Sequence, residues 1–176
     1  TNFRVTREVL ESAVTPATRG LMVNSPSNPT GRVLTLDEIQ AICDFAIEHD
    51  ILVYTDEMYE KIIYGGRQHY SIAAFPGMWD RTLTFNGLSK AYAMTGWRVG
   101  WTIAPRAVSK AMTAFQSHAT FHTASMAQYG ALAALTRLDE ADAAIAAMVA
   151  QVKAMASKKP AVKCARVMCA KCAAAA

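Results

Sequence analysis

The sequence has few groups that could form a metal site or a disulfide framework. Three of its four cysteines, Cys164, Cys169 and Cys172, lie within the last thirteen residues, and no histidine follows His122. A structural zinc site needs about four ligands at paired spacing, and a single Cys-x-x-Cys lacks its second pair. Cys43 lies in an apolar helical pattern, which is typical of a small core residue in a reducing compartment. The sequence therefore predicts no metal site and a cytoplasmic location.

Long apolar runs and a strong charge are also missing. No apolar stretch approaches the roughly 20 residues that span a bilayer, so the sequence predicts no membrane segment. The net charge is +4, but no acidic residue follows Asp142, and residues 1–142 taken alone carry a net charge of −2. The chain therefore lacks the basic surface that is typical of nucleic-acid binding, and we expect no nucleic-acid partner.

Composition separates the end of the chain from the rest. With 52% hydrophobic and 18% charged residues, most of the chain has the composition of a globular domain. Residues 143–176 contain 14 alanines, no acidic residue and no aromatic residue. We expect them to continue a helix to about Ser157 and then to lose any pattern that could bury a face. This predicts two parts, residues 1–142 and an Ala/Lys/Cys-rich tail, 143–176, of uncertain origin.

The periodicity of residues 19–136 alternates between strand and helix. Short apolar runs predict strands at 19–24, 51–57, 81–86 and 99–104. Helical patterns follow the first and last of these strands, at 35–50, 105–116 and 125–136, and Thr35 with Glu38 forms a capping-box signature. Strands separated by helices predict an α/β fold with a mostly parallel sheet and helices on both faces.

The residues with chemical potential lie at the ends of these predicted strands. Asn28 is in the loop after the first strand, Asp56 ends the second, and Ser89 and Lys90 follow the third. Ligands of open α/β sheets bind outside the carboxyl ends of the strands, so residues distant in sequence can meet there in one crevice. Taken singly, Lys90 could be a surface lysine and Arg98 an ordinary ion-pair partner.

Three motifs together are more specific than any single residue. "NPTG" at 28–31, "TDEMY" at 55–59 and "GLSKAYAMTGWRVG" at 87–100 occur in this order. In order and spacing they resemble the class I aminotransferases, pyridoxal-phosphate enzymes of fold type I similar to aspartate aminotransferase. The resemblance covers roughly residues 1–140, and it implies that residues 1–142 are the central part of the large, cofactor-binding domain.

The resemblance assigns the reacting residues. Lys90 matches the lysine that forms an imine, the Schiff base, with pyridoxal 5′-phosphate, and its freed amine then acts as general base and general acid. Asp56 matches the carboxylate that keeps the cofactor's ring nitrogen protonated, so that the ring can accept electrons from the substrate. Glu57 is one residue further on and should point to the other side of the strand.

Four further residues match cofactor contacts. Asn28 and Tyr59 correspond to the two groups that face the cofactor's phenolic oxygen. Arg98, with Ser89, corresponds to the groups that hold the phosphate, a role that suits a planar fork of permanent charge. Many relatives have a serine where this chain has Gly87, so one phosphate contact is expected to be missing or displaced.

The resemblance also implies what lies outside the chain. Family members are more than twice this length, and their other parts supply an aromatic ring that stacks on the cofactor and an arginine that binds the substrate carboxylate. The implied function of the full-length protein is transamination between an amino acid and a 2-oxo acid by a homodimer. Residues 116–128 resemble a stretch that approaches the partner's active site, and His118 and His122 within it are interpreted as surface or interface histidines.

Two alternatives stay open at this stage. The cofactor-binding residues barely discriminate transamination from other reactions on the same scaffold, such as those of a C–S lyase or a cyclising lyase. A second alternative is a non-catalytic, aminotransferase-like regulatory module that binds pyridoxal phosphate. We expect the 176-residue chain alone to be inactive under each of these readings.

Overall fold

The computed structural model describes residues 3–137, and four strands within this range form one sheet. In chain order, which is also the order across the sheet, the strands are β1 (Gly20–Asn24), β2 (Leu52–Asp56), β3 (Thr82–Gly87) and β4 (Gly100–Ile103). The helices are α1 (Arg7–Ala13), α2 (Leu36–Glu48), α3 (Leu88–Ala91), α4 (Arg106–Ala119) and α5 (Ser125–Thr136). Single 3₁₀ turns occur at Ile72–Ala74, Trp79–Arg81 and Thr95–Trp97.

The sheet is mostly parallel, as the sequence predicts. β1 pairs parallel with β2 and β2 pairs parallel with β3, whereas β4 pairs antiparallel with β3. A parallel connection needs a crossover of a dozen or more residues, usually with a full helix. The chain between Gly87 and Gly100 holds only the short α3 and one 3₁₀ turn, so it reverses direction and places Gly100 opposite Gly87.

Helix α2 covers one face of the sheet and builds the core with it. The predicted capping box is present, because the Thr35 side chain accepts a hydrogen bond from the Glu38 amide and the Glu38 carboxylate accepts one from the Thr35 amide. The buried side of α2 packs with strand residues such as Val53 into one apolar cluster. Cys43 belongs to this cluster, and burial raises the pKa of its thiol to about 11, so it is a protonated core thiol as predicted.

The opposite face of the sheet is open at β1 and covered at β3. Met22, Tyr54 and Leu83 are in register across the three parallel strands; Met22 is 82% exposed, Tyr54 is half-buried and Leu83 is buried. The chain divides into two units, Thr1–Ala133 and Ala134–Ala176, and the site residues all lie in the first. No helix among residues 3–137 is long and apolar enough to cross a membrane.

Several predictions concern residues beyond this range. The helix continued to about Ser157, the boundary at 142, the separate tail 143–176 and its three cysteines all lie outside the described residues. The division at 142 stays a prediction for this reason.

Candidate active site

The predicted site residues gather at the carboxyl ends of β1 and β2 and just after β3. Asn24 ends β1 in register with Asp56 at the end of β2. The Asn24 amide donates to the Asp56 carbonyl oxygen at 3.3 Å, and its own side-chain oxygen accepts from the Asn28 backbone N–H at 2.8 Å. Asn24 therefore joins the loop that carries Asn28 to the strand that carries Asp56.

Sequence reasoning did not single out Asn24. Its signal is weak: it is an asparagine at the last position of a strand, four residues before the "NPTG" motif. Its two hydrogen bonds depend on the register between β1 and β2, which the sequence pattern does not specify.

The closest convergence involves Asn28, Tyr59 and Lys90. The Asn28 side-chain amide donates to the Tyr59 hydroxyl at 3.3 Å, across 31 residues of sequence. The Lys90 amine lies over the Tyr59 ring, 5.7 Å from its centroid. The side chains of Asn28, Tyr59 and Lys90, which come from three segments of the chain, therefore lie close together, as the three motifs together predict.

Asp56 lines a neighbouring cleft of about 440 Å³ between the end of the sheet and α4. One carboxylate oxygen, Oδ1, accepts a hydrogen bond from the Met58 backbone N–H at 3.1 Å, so the side chain turns back over the start of the following loop. Phe85, Asn86 and Trp101 form the wall that belongs to the sheet. Asn28 and Tyr59 line a second cleft of about 500 Å³ that shares no lining residue with the first, so Asp56 lies in a different depression from Asn28 and Tyr59.

Ser89 and Lys90 lie on α3, a single turn directly after β3. Leu88 is fully buried, and its backbone N–H donates to the Val99 carbonyl oxygen at 3.1 Å, which fixes the turn against the chain entering β4. Ser89 is half-buried and Lys90 is exposed. Leu88 thus fixes α3 so that Lys90 is exposed at the end of β3.

Gly87 is required by the close approach of β4. A Cβ at this position would lie 2.8 Å from the Val99 carbonyl oxygen and 3.0 Å from the Gly100 Cα, both backbone atoms. Contacts of this kind do not occur in folded chains without a shift of the backbone. In this chain a serine at position 87 would therefore push β4 away from β3.

Arg98 lies at the end of the 3₁₀ turn Thr95–Trp97, with a left-handed backbone at φ 54°. Its guanidinium is exposed and its Nη1 donates to the Thr95 carbonyl oxygen at 3.1 Å. This bond holds the guanidinium on its own turn, so the predicted pairing of Arg98 with Ser89 at a phosphate stays a prediction. Trp97 packs on α5, where a Cβ at Gly130 would lie 2.5 Å from the indole ring.

The loop that carries Asn28 is anchored by a buried carboxylate. Glu38 is 3% exposed and accepts hydrogen bonds from the Arg32 guanidinium and from the backbone N–H groups of Val5 and Thr35, at 2.9 and 3.0 Å for the two amides. Burial alone would raise the pKa of Glu38, but hydrogen bonds from Thr35, Arg32 and Val5 outweigh it and hold the pKa at about 2. Glu38 is therefore an ionised anchor.

The residues present fit a phosphorylated pyridine aldehyde. Lys90 supplies an amine, Asn28 and Tyr59 supply neutral groups that can donate to an oxygen, and Asp56 supplies a carboxylate for a ring nitrogen. The hydrogen bond between Asn28 and Tyr59, with the Lys90 amine beside the Tyr59 ring, shows that three of these groups already adjoin.

Comparison with known proteins agrees with this geometry. The family model "Aminotransferase class I and II" matches residues 1–158. The aspartate aminotransferase of Geobacillus stearothermophilus is 45% identical over 134 residues, which are 76% of this chain and 34% of that protein. The aromatic-amino-acid aminotransferase 2 of Thermococcus litoralis is 47% identical over 132 residues, 75% of this chain and 34% of that protein.

A solved structure gives the same result for the fold. The crystal structure of an aromatic aminotransferase from Pyrococcus horikoshii OT3 superposes with a TM-score of 0.79 at 44% identity, over 83% of this chain and 39% of that one. The chain spans about a third of the length of the curated relatives that it matches. Aspartate aminotransferases, which are among these relatives, depend on pyridoxal phosphate. The chain belongs to the class I and II aminotransferase family.

Proposed function

We propose that the complete protein containing this chain is a pyridoxal-phosphate-dependent aminotransferase that moves an amino group from an amino acid to a 2-oxo acid. The observation that carries the proposal is the meeting of Asn28, Tyr59 and Lys90 from three separate segments. When bound, the cofactor supplies an aldehyde for the substrate's amino group and a ring that accepts the electron pair left at Cα.

The residues of the chain would divide the work. Lys90 would hold the cofactor covalently through its amine and, once released by the substrate, take the proton from the substrate's Cα and deliver it to the cofactor's C4′ carbon. The Asp56 carboxylate would keep a proton on the ring nitrogen, which favours the electron-accepting form. Asn28 and Tyr59 would donate to the phenolic oxygen, and Arg98 with Ser89 would hold the phosphate.

The complete protein is further proposed to be a cytoplasmic homodimer. The dimer is supported by the apolar residues that α4 and α5 expose, among them Phe115 at 76% and Tyr129 at 75%. The location is supported by Cys43, a small apolar core residue of α2, which is typical of a chain in a reducing compartment.

The proposal is tested by reducing the complete, cofactor-loaded protein with borohydride and mapping the labelled peptide. We expect the pyridoxyl group on Lys90 and none after Lys90→Ala. Lys61 offers a matched control, because its amine lies 5.2 Å from the ring centroid of Tyr92 in a contact of the same type. Lys61→Ala should leave the labelling of Lys90 unchanged, and a label on Lys61 or any other lysine would refute the assignment.

A product assay separates transamination from the alternatives. The complete protein is incubated with an amino acid and a 2-oxo acid, and both products are quantified. Equal amounts of a new amino acid and a new 2-oxo acid support transamination. Release of ammonia or sulfide would indicate a C–S lyase, a cyclic amino acid without a new 2-oxo acid would indicate a cyclising lyase, and cofactor binding with no turnover would indicate the regulatory module.

A further inference from the structure

Glu57 is a buried carboxylate between two cofactor-site residues, and the proposed reaction gives it no role. It is 3% exposed and lies on the side of β2 opposite to Asp56, as the strand alternation predicts. Its Oε1 accepts hydrogen bonds from the hydroxyls of Thr55, at 3.2 Å, and Ser71, at 3.0 Å. Its Oε2 lies 3.1 Å from Nε2 of His69, whose side chain is 12% exposed.

The backbone of Glu57 is fixed as firmly as its side chain. Its N–H donates to the Phe85 carbonyl oxygen at 2.9 Å, which extends the β2–β3 ladder by one residue. Its carbonyl oxygen accepts from the Glu60 N–H at 3.0 Å and closes the turn that carries Tyr59. One residue thus joins the end of the sheet, the turn and the segment around Ser71.

We propose that Glu57 is a positioning residue for the cofactor site. Its carboxylate, held by Ser71 and His69, fixes the segment 56–59 so that Asp56 faces its cleft while the Tyr59 hydroxyl meets Asn28. This inference rests on the proposed function, because it concerns how the chain presents two groups to the cofactor. Glu57 itself touches neither Asn28 nor Lys90 in the structure and acts through its neighbours.

The chemistry of the cluster explains why an acid occupies this position. The carboxylate oxygens of Glu57 can accept hydrogen bonds, and here they meet two hydroxyls and a ring nitrogen that can all donate. Alanine at position 57 would leave these donors without their acceptor in a buried place, which costs more than the lost bonds alone. Glutamine keeps the shape, and the hydroxyls of Thr55 and Ser71 can accept from its amide as well as donate to its oxygen.

The test uses the complete protein and three variants, Glu57→Ala, Glu57→Gln and Ser71→Ala. Two quantities are measured for each: the dissociation constant of pyridoxal phosphate, and the pH midpoint of the bound cofactor's visible absorbance. We expect Glu57→Ala to weaken cofactor binding at least about tenfold and to shift the midpoint, since both site residues move. Ser71→Ala should shift both in the same direction by less, and Glu57→Gln should retain near-parental values.

Ile42→Ala is the matched control for a purely structural effect. Ile42 is fully buried in the apolar cluster under α2 and carries no polar group that could bond to the Glu57 network, so this variant should lower the thermal midpoint and leave both cofactor readouts unchanged. If Glu57→Ala fails to fold, Ser71→Ala decides the matter, because it removes only one hydrogen bond from a half-buried hydroxyl.

The outcomes separate this inference from the proposed function. A parent protein that binds pyridoxal phosphate, with Glu57→Ala or Ser71→Ala variants that lose thermal stability but keep its affinity and absorbance midpoint, would overturn the positioning role alone. A parent protein that binds no pyridoxal phosphate would overturn both. If Glu57→Gln keeps a near-parental cofactor affinity and absorbance midpoint while Glu57→Ala is impaired in both, the positioning role is supported.

Discussion

Helices α2 and α4 are of similar length and both amphipathic, yet their surroundings differ. Six of the 13 residues of α2 are buried, whereas none of the 14 residues of α4 is buried. The apolar side of α2 faces β1 and β2, the strands that flank it in sequence. α4 exposes Met112 by 37% and Phe115 by 76% of their surfaces.

The difference shows what an amphipathic pattern can and cannot indicate. It predicts that a helix has an apolar partner, but it does not say where in the sequence the partner lies. The partner of α2 is local. Because the chain spans about a third of the length of its relatives, we expect a surface outside this chain, in the rest of the complete protein or in the second subunit of the proposed dimer, to cover α4.

The largest expected effect comes from separating the chain from the rest of the protein. Expressed alone, residues 1–176 should associate and show no transaminase activity, since exposed apolar side chains lead to self-association. Light scattering and a transaminase assay check both points. Met112→Ser combined with Phe115→Ser should reduce the association, and Lys110→Ser, an exposed change on the same helix, should not. A monodisperse and active 176-residue protein would contradict the expectation that α4 needs a partner outside this chain.

The two faces of the sheet should also separate activity from stability. In the complete protein, Asp56→Ala should lower the turnover number by several powers of ten with a small change in stability, because it removes the carboxylate proposed to hold a proton on the ring nitrogen. Ile42→Ala, in the core on the α2 side, should cost about 2–5 kcal/mol of stability with little change in turnover. Turnover assays at saturating cofactor and denaturant unfolding measure the two. Near-parental turnover of Asp56→Ala would show that Asp56 lacks this role.

Local signals in the sequence predicted much of this fold. The capping box of Thr35 and Glu38 places the start of α2 correctly because both partners lie within one helical turn. The strands predicted at 51–57 and 81–86 end within one residue of the observed ends, Asp56 and Gly87, because short apolar runs mark them. The resemblance implied that Asn28, Tyr59 and Lys90 face one cofactor, and in the structure the three side chains lie close together, while their roles stay predictions.

Features that depend on the pairing of distant segments were not predicted. The antiparallel direction of β4 follows from a connection that holds no full helix and from the fit of Gly87 against Gly100. The link through Asn24 depends on strand register, and the cluster at Glu57 depends on a segment that returns twelve residues later. The direction of the Arg98 side chain follows from a left-handed backbone that its sequence does not specify.

Glu38 is a buried residue of α2, and its contribution to stability should depend on pH. The pKa of its carboxyl falls from the ordinary value of 4.5 to about 2 in the folded protein. The unfolded chain therefore binds the proton more tightly, so this contribution is fully present above about pH 4.5 and is lost as the pH falls through about 2. A shift of this size corresponds to stability on the order of 3 kcal/mol at neutral pH.

Unfolding of the complete protein by denaturant between pH 7 and pH 3 measures this contribution. Glu38→Gln should lower stability at pH 7 and flatten its decline with acid. Asp37→Asn, an exposed change in the same helical turn, should leave the profile close to that of the parent. An unchanged acid profile in Glu38→Gln would show that other groups dominate.

Arg98 is exposed, and the contact proposed for it is with the phosphate of the cofactor. If Arg98 holds the cofactor's phosphate, Arg98→Ala should weaken cofactor binding about tenfold to a hundredfold. This is the effect expected for one charge-assisted contact of about 1.5–3 kcal/mol. Arg98→Lys keeps the charge but not the planar fork and should recover part of the affinity. Cofactor titration followed by turnover at saturating cofactor distinguishes binding from chemistry. Parental affinity in both variants would return Arg98 to the role of a structural residue.

The smallest expected effect concerns the support that α5 gives to the turn of Arg98. A Cβ at Gly130 would lie 2.5 Å from the Trp97 ring, so Gly130→Ala should displace the indole. Trp97 is 48% exposed, which lets the ring move toward solvent at modest cost. We expect a red shift in tryptophan emission and a cofactor affinity weakened only a few fold, because the turn shifts while the Arg98 guanidinium is retained. Ala131→Gly, at the next position of α5, serves as the control for helix propensity. If Gly130→Ala altered neither emission nor affinity, α5 would not support this turn. α5 would then resemble α4, a helix without a packing partner among residues 3–137.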